Sequence, residues 1–272
     1  MGVSILDMSE GELIFIGLGL YDDESLSLEA LQACKEADIL VAEQYTSILA
    51  PGSMEKLSKK LGKEIIVFGR NEVEKGKVLE KGKSKIIGFL VPGDPMTATT
   101  HADLRMRAHR AGIKTRIVHG TSAMVAIPGI LGLQHYKFGR TITIPFPEKG
   151  FEPTSPLELL LENLSHGLHT LALLDIRVDE GRLMTANQGL HWLLATAKKC
   201  HTSAINDETV ACVVARAGSR DCLAKANRIK HLLKMDFGRP LHSIVVPGRL
   251  HFLEEEALVR FAGAPESLFP AK

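Results

Sequence analysis

Short apolar runs alternate with amphipathic segments along most of the chain, and this alternation predicts an α/β fold. Before residue 134, each of five predicted strands is followed by a predicted helix. The predicted strands lie at residues 13–18, 39–42, 64–68, 85–91 and 115–119. The predicted helices lie at residues 25–37, 53–61, 72–83, 101–111 and 122–131. Strict alternation of this kind favours a mostly parallel sheet that helices cover on both faces.

A polar and aromatic stretch at residues 134–139 interrupts the pattern, and a second alternating series follows it. Its predicted strands lie at residues 141–145, 170–175, 208–216 and 241–246, and its predicted helices at residues 157–165, 185–197, 223–235 and 254–261. The chain is therefore predicted to form two consecutive α/β domains, residues 1–134 and residues 135–272, with residues 1–11 as a short extension.

The predicted strand at residues 85–91 ends in the turn PGDP, residues 92–95, and the helix from residue 101 follows it. Two prolines and a glycine restrict the backbone around one carboxylate, Asp94. In open α/β sheets a ligand binds where such a turn leaves the carboxyl end of a strand. Asp94 is therefore either a ligand-binding group or the acceptor of a hydrogen bond inside the turn. Turn chemistry alone does not separate these two interpretations.

The composition is that of a globular protein, with 45% hydrophobic and 24% charged residues. The formal net charge of +1 gives no electrostatic reason to expect nucleic acid or an anionic membrane as the main partner. The longest apolar stretch, residues 124–133, contains a proline and two glycines and is too short to span a bilayer. Four cysteines without CxxC or zinc-type spacing indicate reduced thiols, and we expect a cytoplasmic protein.

Two further patterns are weak indications of a ligand. The motif GLGLY, residues 17–21, lacks the third glycine of a dinucleotide motif because Asp22 stands in its place, although Glu43 is placed to bind a ribose. His166 and His169 are three residues apart, but no carboxylate or thiol completes a ligand set with them. NAD binding and metal binding are therefore not favoured.

Several blocks of sequence, taken together and in this order, resemble the diphthine synthase family. The blocks are FIGLGLYDD (15–23), AEQYTS (42–47), VPGDPMTATTHADLR (91–105), YKFG (136–139), GLHTLALLDI (167–176), MTAN (184–187), ARAGS (215–219) and HSIVVPGRLHFLE (242–254). That family is part of the tetrapyrrole methylase superfamily of methyltransferases that use S-adenosyl-L-methionine. The resemblance extends from about residue 13 to residue 265, nearly the whole chain.

The resemblance implies a tetrapyrrole methylase-like fold, in which two α/β domains hold the methyl donor in a cleft between them, and a homodimer. It assigns contacts with S-adenosylmethionine to eight positions, which are Leu20, Asp94, Thr97, Ser122, Ala123, Leu174, Ala217 and His242. Thr97 stands where the family has a small aliphatic residue, and the pair Ser122-Ala123 is smaller than the usual pair. Contacts made through the backbone would tolerate both differences.

The reaction that the resemblance implies is methylation of the α-amino group of 2-(3-carboxy-3-aminopropyl)-histidine in translation elongation factor 2. Repeated transfer would give a trimethylammonium product, diphthine. The amine must lose a proton before it attacks, and burial in an apolar cleft favours the neutral form. The sequence identifies no catalytic base. Four side chains are candidates by position only: Glu43, Tyr45, His119 and Asp175.

Two alternatives stay open at this point. Another methyltransferase of the same superfamily would act on a tetrapyrrole carbon or on ribosomal RNA. The tetrapyrrole branch normally has GxGPGD where this chain has GLGLYDD, and the near-neutral charge disfavours RNA. The second alternative is a non-catalytic or NAD-binding α/β module. Tight binding of S-adenosylmethionine and not of NAD would exclude it.

Overall fold

The computed structural model describes residues 11–148, 150 and 152–269. The chain divides into two compact units, Met1–Ser122 and Ala123–Lys272. This division falls earlier in the chain than the predicted junction after residue 134. The reason is that the helix at Ala123–Leu131 buries Ile127 and Leu131 in a core made by residues of the second unit. The predicted extension at residues 1–11 lies, except for Gly11, outside the described residues.

Strands and helices alternate in the first unit. Its strands are β1 (Glu12–Gly17), β2 (Ile39–Glu43), β3 (Ile65–Phe68), β4 (Ile86–Val91) and β5 (Lys114–Val118). Its helices are α1 (Leu28–Glu36), α2 (Ser53–Leu61), α3 (Arg70–Glu74), α4 (Lys77–Lys81) and α5 (His101–Arg110). The strands form one sheet in the order β3-β2-β4-β1-β5, and every pairing in it is parallel. The α/β prediction for this part of the chain is confirmed.

Both faces of the central part of the first sheet are buried, which explains why β1 and β4 are nearly continuous apolar runs. Along β1, Leu13 and Phe15 pack into one core cluster, and Ile14 and Ile16 pack into another. Successive side chains of a strand point to opposite faces, so the two clusters lie on the two sides of the sheet. A sheet of this kind leaves its carboxyl edge, and the loops there, available for a site.

Two predicted helices of the first unit differ from the observed ones because of local backbone chemistry. The helix predicted at residues 25–37 starts at Leu28, because Ser27 acts as its N-cap and its hydroxyl accepts a hydrogen bond from the Ala30 N–H at 3.0 Å. The helix predicted at residues 72–83 is two short helices, α3 and α4. Gly76, with φ of +76°, separates them, and only glycine adopts that backbone conformation easily.

The second unit has a mixed sheet. Its strands are β6 (Ile142–Ile144), β7 (Thr170–Leu174), β8 (Ile176–Arg177), β9 (Arg182–Leu183), β10 (Val210–Ala215), β11 (Leu223–Arg228) and β12 (His242–Val246). Its helices are α6 (Ala123–Leu131), α7 (Ser155–Ser165), α8 (Ala186–Lys199), α9 (Ile229–Leu232) and α10 (Phe252–Ala262). The main sheet has the order β11-β10-β12-β7-β6; β6 and β7 are parallel, and the other pairs are antiparallel. Strands β8 and β9 form a small separate hairpin.

The helix predicted at residues 223–235 is wrong. Residues 223–228 form β11, and only Ile229–Leu232 is helical. Arg216, with φ of +53°, starts a turn in which the Ser219 N–H donates to the Arg216 carbonyl at 3.0 Å. This turn reverses the chain and lays β11 along the edge of β10, where pairing between strands outweighs a helical pattern of apolar residues.

Candidate functional site

Loops that follow three adjacent strands of the first sheet, β4, β1 and β5, meet at its carboxyl edge. Gly19 and Gly93 each donate a backbone hydrogen bond to the other's carbonyl, at 3.2 and 2.7 Å. Gly120 approaches just as closely, since a Cβ added there would lie 2.3 Å from the Gly93 carbonyl oxygen. A Cβ added at Gly17 would lie 2.4 Å from the Gly120 nitrogen. Glycine is therefore required because the three loops contact one another through their backbones.

Asp94 lies at the centre of these loops and accepts hydrogen bonds on both carboxylate oxygens. Its Oδ1 accepts from the Met96 N–H at 2.9 Å and from the Thr97 hydroxyl at 3.0 Å. Its Oδ2 accepts from His119 Nδ1 at 2.7 Å and from the Gly120 N–H at 3.4 Å. Asp94 therefore makes the turn-type hydrogen bond and also links its turn to the loop after β5.

The surroundings of Asp94 favour its charged form. Burial alone raises the pKa of Asp94, but the hydrogen bonds from Met96, His119 and Thr97 outweigh it, and the pKa is lowered from its usual value. Thr97 contributes a hydroxyl that a small aliphatic residue could not supply. The carboxyl edge of the first sheet thus presents a nearly buried, ionised carboxylate.

The four donor-contact positions predicted in the first unit all lie at this edge. Leu20 is half-buried and follows Gly19 on the loop after β1. Asp94 and Thr97 are on the loop after β4, and Ser122, also half-buried, is on the loop after β5. The structure therefore places all four of them on the three loops that meet.

Glu43 and Tyr45, two of the candidate bases, are held by local contacts at the end of β2. The fully buried Glu43 carboxylate accepts hydrogen bonds from the Tyr45 N–H at 3.0 Å and the Thr46 N–H at 3.1 Å, and also from the Thr46 hydroxyl. It closes a turn. Burial and then the charge of Glu43 raise the pKa of Tyr45 to about 12, so the phenol stays protonated at neutral pH.

Sequence reasoning missed His101, a buried histidine near the same turn. Its Nδ1–H donates to the Pro95 carbonyl at 3.0 Å, its Nε2 lies 3.5 Å from the Tyr45 hydroxyl, and its ring packs edge-on against Phe89. Burial lowers the pKa of His101, so the ring is neutral. A cavity of about 180 Å³ adjoins it, and the lining includes Tyr45, Glu74, Asp103 and Arg107. The available signal was a histidine at the start of the helix that follows the turn.

Three predicted donor-contact positions of the second unit meet at one edge of its main sheet. Leu174 ends β7, His242 begins β12, and Ala217 follows β10. Because these strands are antiparallel neighbours, with Ala215 opposite His242 and Leu173 opposite Ser243, the three positions lie at the same edge. Ala123, the fourth position in this unit, begins α6 and is half-buried.

His242 is fixed by two hydrogen bonds within the second unit. Its Nδ1 accepts from the Ala186 N–H at 3.1 Å, and its Nε2–H donates to the Arg239 carbonyl at 3.0 Å. Burial lowers the pKa of His242, which keeps the ring neutral and fits this tautomer. Both ring nitrogens are engaged, so a ligand would meet the backbone or the ring carbons of His242.

Arg216, which sequence reasoning also missed, fastens the loop that carries Ala217. The guanidinium is nearly buried, and its Nη1 donates to the Phe237 carbonyl at 2.6 Å and to the Arg239 carbonyl at 3.0 Å. Its Nη2 donates to the Asp221 carbonyl at 3.0 Å. The Arg239 carbonyl also accepts a hydrogen bond from His242 Nε2. Through this carbonyl, Arg216 links the loop that carries Ala217 to His242.

The remaining candidates have structural partners. Asp175 accepts a hydrogen bond from the Phe146 N–H at 2.9 Å and lies 3.3 Å from the Arg177 Nε. His169 is buried and bonded to Glu254 and Gly248, at 3.1 and 3.0 Å. Across residues 11–148, 150 and 152–269 there is no group of three or more side chains suited to hold a metal ion. In the same residues, no helix has the length and apolar character of a membrane span.

Comparison with known proteins places this geometry in context. Residues 12–232 match the family described as Tetrapyrrole (Corrin/Porphyrin) Methylases. The chain is 45% identical over 257 residues to the diphthine synthase of Methanothermobacter thermautotrophicus, covering 94% of this chain and 97% of that protein. It is 48% identical over 250 residues to the diphthine synthase of Methanocaldococcus jannaschii, covering 90% and 97%.

Solved structures agree with this result. A crystal structure of diphthine synthase matches with a TM-score of 0.86 at 38% identity, covering 94% of this chain and 98% of that one. A crystal structure of a putative diphthine synthase from Entamoeba histolytica also gives a TM-score of 0.86, at 35% identity, covering 94% and 100%.

Proposed function

The chain belongs to the diphthine synthases of the tetrapyrrole methylase family, and on this premise we propose that it methylates the modified histidine of translation elongation factor 2. Enzymes of this family in general use S-adenosylmethionine as the methyl donor. The acceptor is the α-amino group of 2-(3-carboxy-3-aminopropyl)-histidine, and three transfers give the trimethylammonium product, diphthine. The observation that carries the proposal is 45% to 48% identity over at least 90% of the chain and 97% of each relative.

The donor contacts that we propose are the eight positions that the resemblance assigns. They are Leu20, Asp94, Thr97 and Ser122 in the first unit and Ala123, Leu174, Ala217 and His242 in the second. S-Adenosylmethionine carries a positive sulfonium and amino group, a carboxylate and an apolar adenine face. The edges offer matching chemistry: an ionised carboxylate at Asp94, backbone N–H and carbonyl groups, and apolar side chains at Leu20 and Leu174. These residues fit the donor.

The donor supplies an activated methyl group on sulfur, so the chain's own residues act mainly by alignment. Backbone contacts among Gly17, Gly19, Gly93 and Gly120 hold the loops of the first unit in one arrangement. A preorganised arrangement keeps the amine nitrogen in line behind the methyl carbon, and such positioning contributes a large part of the rate of a displacement reaction. The buried, hydrogen-bonded carboxylate of Asp94 fixes the position of negative charge at this edge.

Transfer of labelled methyl groups tests the proposal. Purified protein, labelled S-adenosylmethionine and elongation factor 2 that carries the aminocarboxypropyl group should give labelled factor. Factor with the unmodified histidine should stay unlabelled, as should a tetrapyrrole precursor and ribosomal RNA. Label in the unmodified factor, or none in the modified one, would contradict the assignment.

We also propose that the protein works as a homodimer in the cytoplasm. Large apolar side chains on two helices of the second unit support a contact between copies. Val125 on α6 and Phe252, Leu253 and Phe261 on α10 are each more than half exposed. Exposed apolar residues grouped on neighbouring elements are typical of association surfaces. Sedimentation equilibrium should give twice the mass of one chain, and the charged variant Phe261→Glu should give a single mass.

A further inference from the structure

His119 combines two properties that no other candidate base of the sequence shows together. It follows β5 directly, and its Nδ1 lies 2.7 Å from Asp94 Oδ2, while 71% of its side chain is exposed. An ionised carboxylate can only accept a hydrogen bond, so Nδ1 is the donor in this pair. The neutral ring then carries its lone pair on Nε2. A basic nitrogen of known tautomer is thus held on an accessible side chain.

Asp94 is fixed in a way that suits this pair. Its other oxygen accepts from the Met96 N–H and the Thr97 hydroxyl, so the carboxylate cannot rotate away from His119. These hydrogen bonds also lower the pKa of Asp94 against the effect of burial, and the group stays charged. A fixed carboxylate acceptor next to Nδ1 orients the imidazole and leaves Nε2 available to take a proton.

The other candidates lack this combination. Glu43 accepts hydrogen bonds on both oxygens from its own turn and is fully buried. The buried phenol of Tyr45 stays protonated, and Asp175 accepts from a backbone N–H and lies beside Arg177. The His101 residue is only 1% exposed, and its Nδ1–H donates to the Pro95 carbonyl. Among these groups, His119 alone has an accessible basic nitrogen.

We propose that His119 is the general base of methyl transfer and that Asp94 is its positioning residue. This inference rests on the proposed function. Before each transfer, Nε2 takes one proton from the substrate ammonium group. The neutral amine then forms a bond to the methyl carbon while the carbon–sulfur bond breaks and its electron pair stays on sulfur. Three rounds release three protons, which the exposed ring passes to water, and the trimethylammonium product has no N–H left.

The decisive variant is His119→Asn. An asparagine amide can donate to Asp94 as Nδ1 does, but it has no basic nitrogen. The affinity for S-adenosylmethionine, measured by calorimetry, should stay within about threefold of wild type. The initial rate of methyl transfer to modified elongation factor 2 should fall about a hundredfold or more, which is the usual contribution of a general base. In His119→Ala, added imidazole should restore part of the rate.

A matched control is His109→Asn, since His109 is an exposed histidine on α5 in the same unit. It should leave both affinity and rate unchanged. A His119→Asn protein that keeps a third or more of the wild-type rate would overturn the proposal and leave His119 with a structural role. So would a loss of donor affinity as large as the loss of rate. If the wild-type protein transfers no methyl to the modified factor, the proposed function itself fails, and that outcome needs no variant.

Discussion

Replacing Glu254 with glutamine should lower the free energy of unfolding of the second unit by about 3 kcal/mol near neutral pH. Glu254 is 1% exposed at the start of α10. Its Oε1 accepts from the Gln134 N–H at 2.9 Å and from His169 Nε2 at 3.1 Å. Its Oε2 accepts from the His251 N–H at 2.8 Å and from the Lys137 ammonium. One carboxylate thus joins α10 to two distant segments.

The magnitude follows from the pKa of Glu254. Burial raises this pKa, but the hydrogen bonds from Lys137, from the Gln134 and His251 backbone, and from His169 lower it from 4.5 to about 2. Each unit of difference between folded and unfolded states is worth about 1.36 kcal/mol, so the ionised form contributes about 3 kcal/mol. Because the folded pKa is the lower one, this stability is complete above the unfolded value near 4.5. It falls to about 1.4 kcal/mol near pH 3 and is lost as the pH drops through the folded value.

Urea unfolding followed by tryptophan fluorescence measures this contribution. Trp192 is the only tryptophan in the sequence and lies in a core cluster of the second unit, so it reports on that unit. The difference between wild type and Glu254→Gln should be about 3 kcal/mol near pH 7 and should shrink by more than half near pH 3. Glu255→Gln, one position along α10, is the control and should change stability by less than about 0.5 kcal/mol. A Glu254 difference that is below about 1 kcal/mol near pH 7, or that does not change with pH, would refute the reasoning.

Three further outcomes are expected. Gly120→Ala should lower the stability of the first unit by about 1–3 kcal/mol, because the added carbon would lie 2.3 Å from a backbone oxygen. Gly82→Ala is the control and should leave the stability unchanged, because Gly82 has a right-handed backbone and an added carbon there would have its nearest neighbour at 3.5 Å. Unfolding followed by circular dichroism measures both variants. Exposed Cys200 should react with a thiol reagent in the folded protein. Buried Cys34, whose pKa burial raises to about 11, should react only after unfolding. Peptide mapping identifies the labelled cysteines, and label on Cys34 in the folded protein would contradict this prediction. Asp94→Ala should weaken S-adenosylmethionine binding more than about threefold in calorimetry; a smaller change would mean that Asp94 does not contact the donor.

The strands of the first unit could be predicted from the sequence for a simple physical reason. Strands buried on both faces need an apolar residue at every position, and β1 shows this with Leu13 in one core and Ile14 in the other. Such runs stand out from the amphipathic helices between them. The second unit was harder, since residues 223–228 carry a mixed pattern and become a strand only through pairing with β10.

The candidate site likewise has some features that the sequence shows and others that appear only in the folded structure. The turn at residues 92–95 and the glycines after β1 are visible in the sequence because they depend on local backbone chemistry. The hydrogen-bond partner of Asp94 is not visible in the sequence, because His119 comes close to Asp94 only through the strand order β4-β1-β5. Arg216 and His101 were missed for the same reason, since their hydrogen bonds go to segments that are neighbours only after folding.

The sequence by itself determined most of the element types, the α/β class and the family. Side-chain periodicity and turn chemistry act over a few residues, so a linear pattern can carry them. The tertiary structure alone decided which polar groups meet. The pairing of Asp94 with His119, and of Glu254 with His169 and Lys137, depends on strand order and on the cost of burying an unpaired polar group. Both are properties of contacts between distant segments.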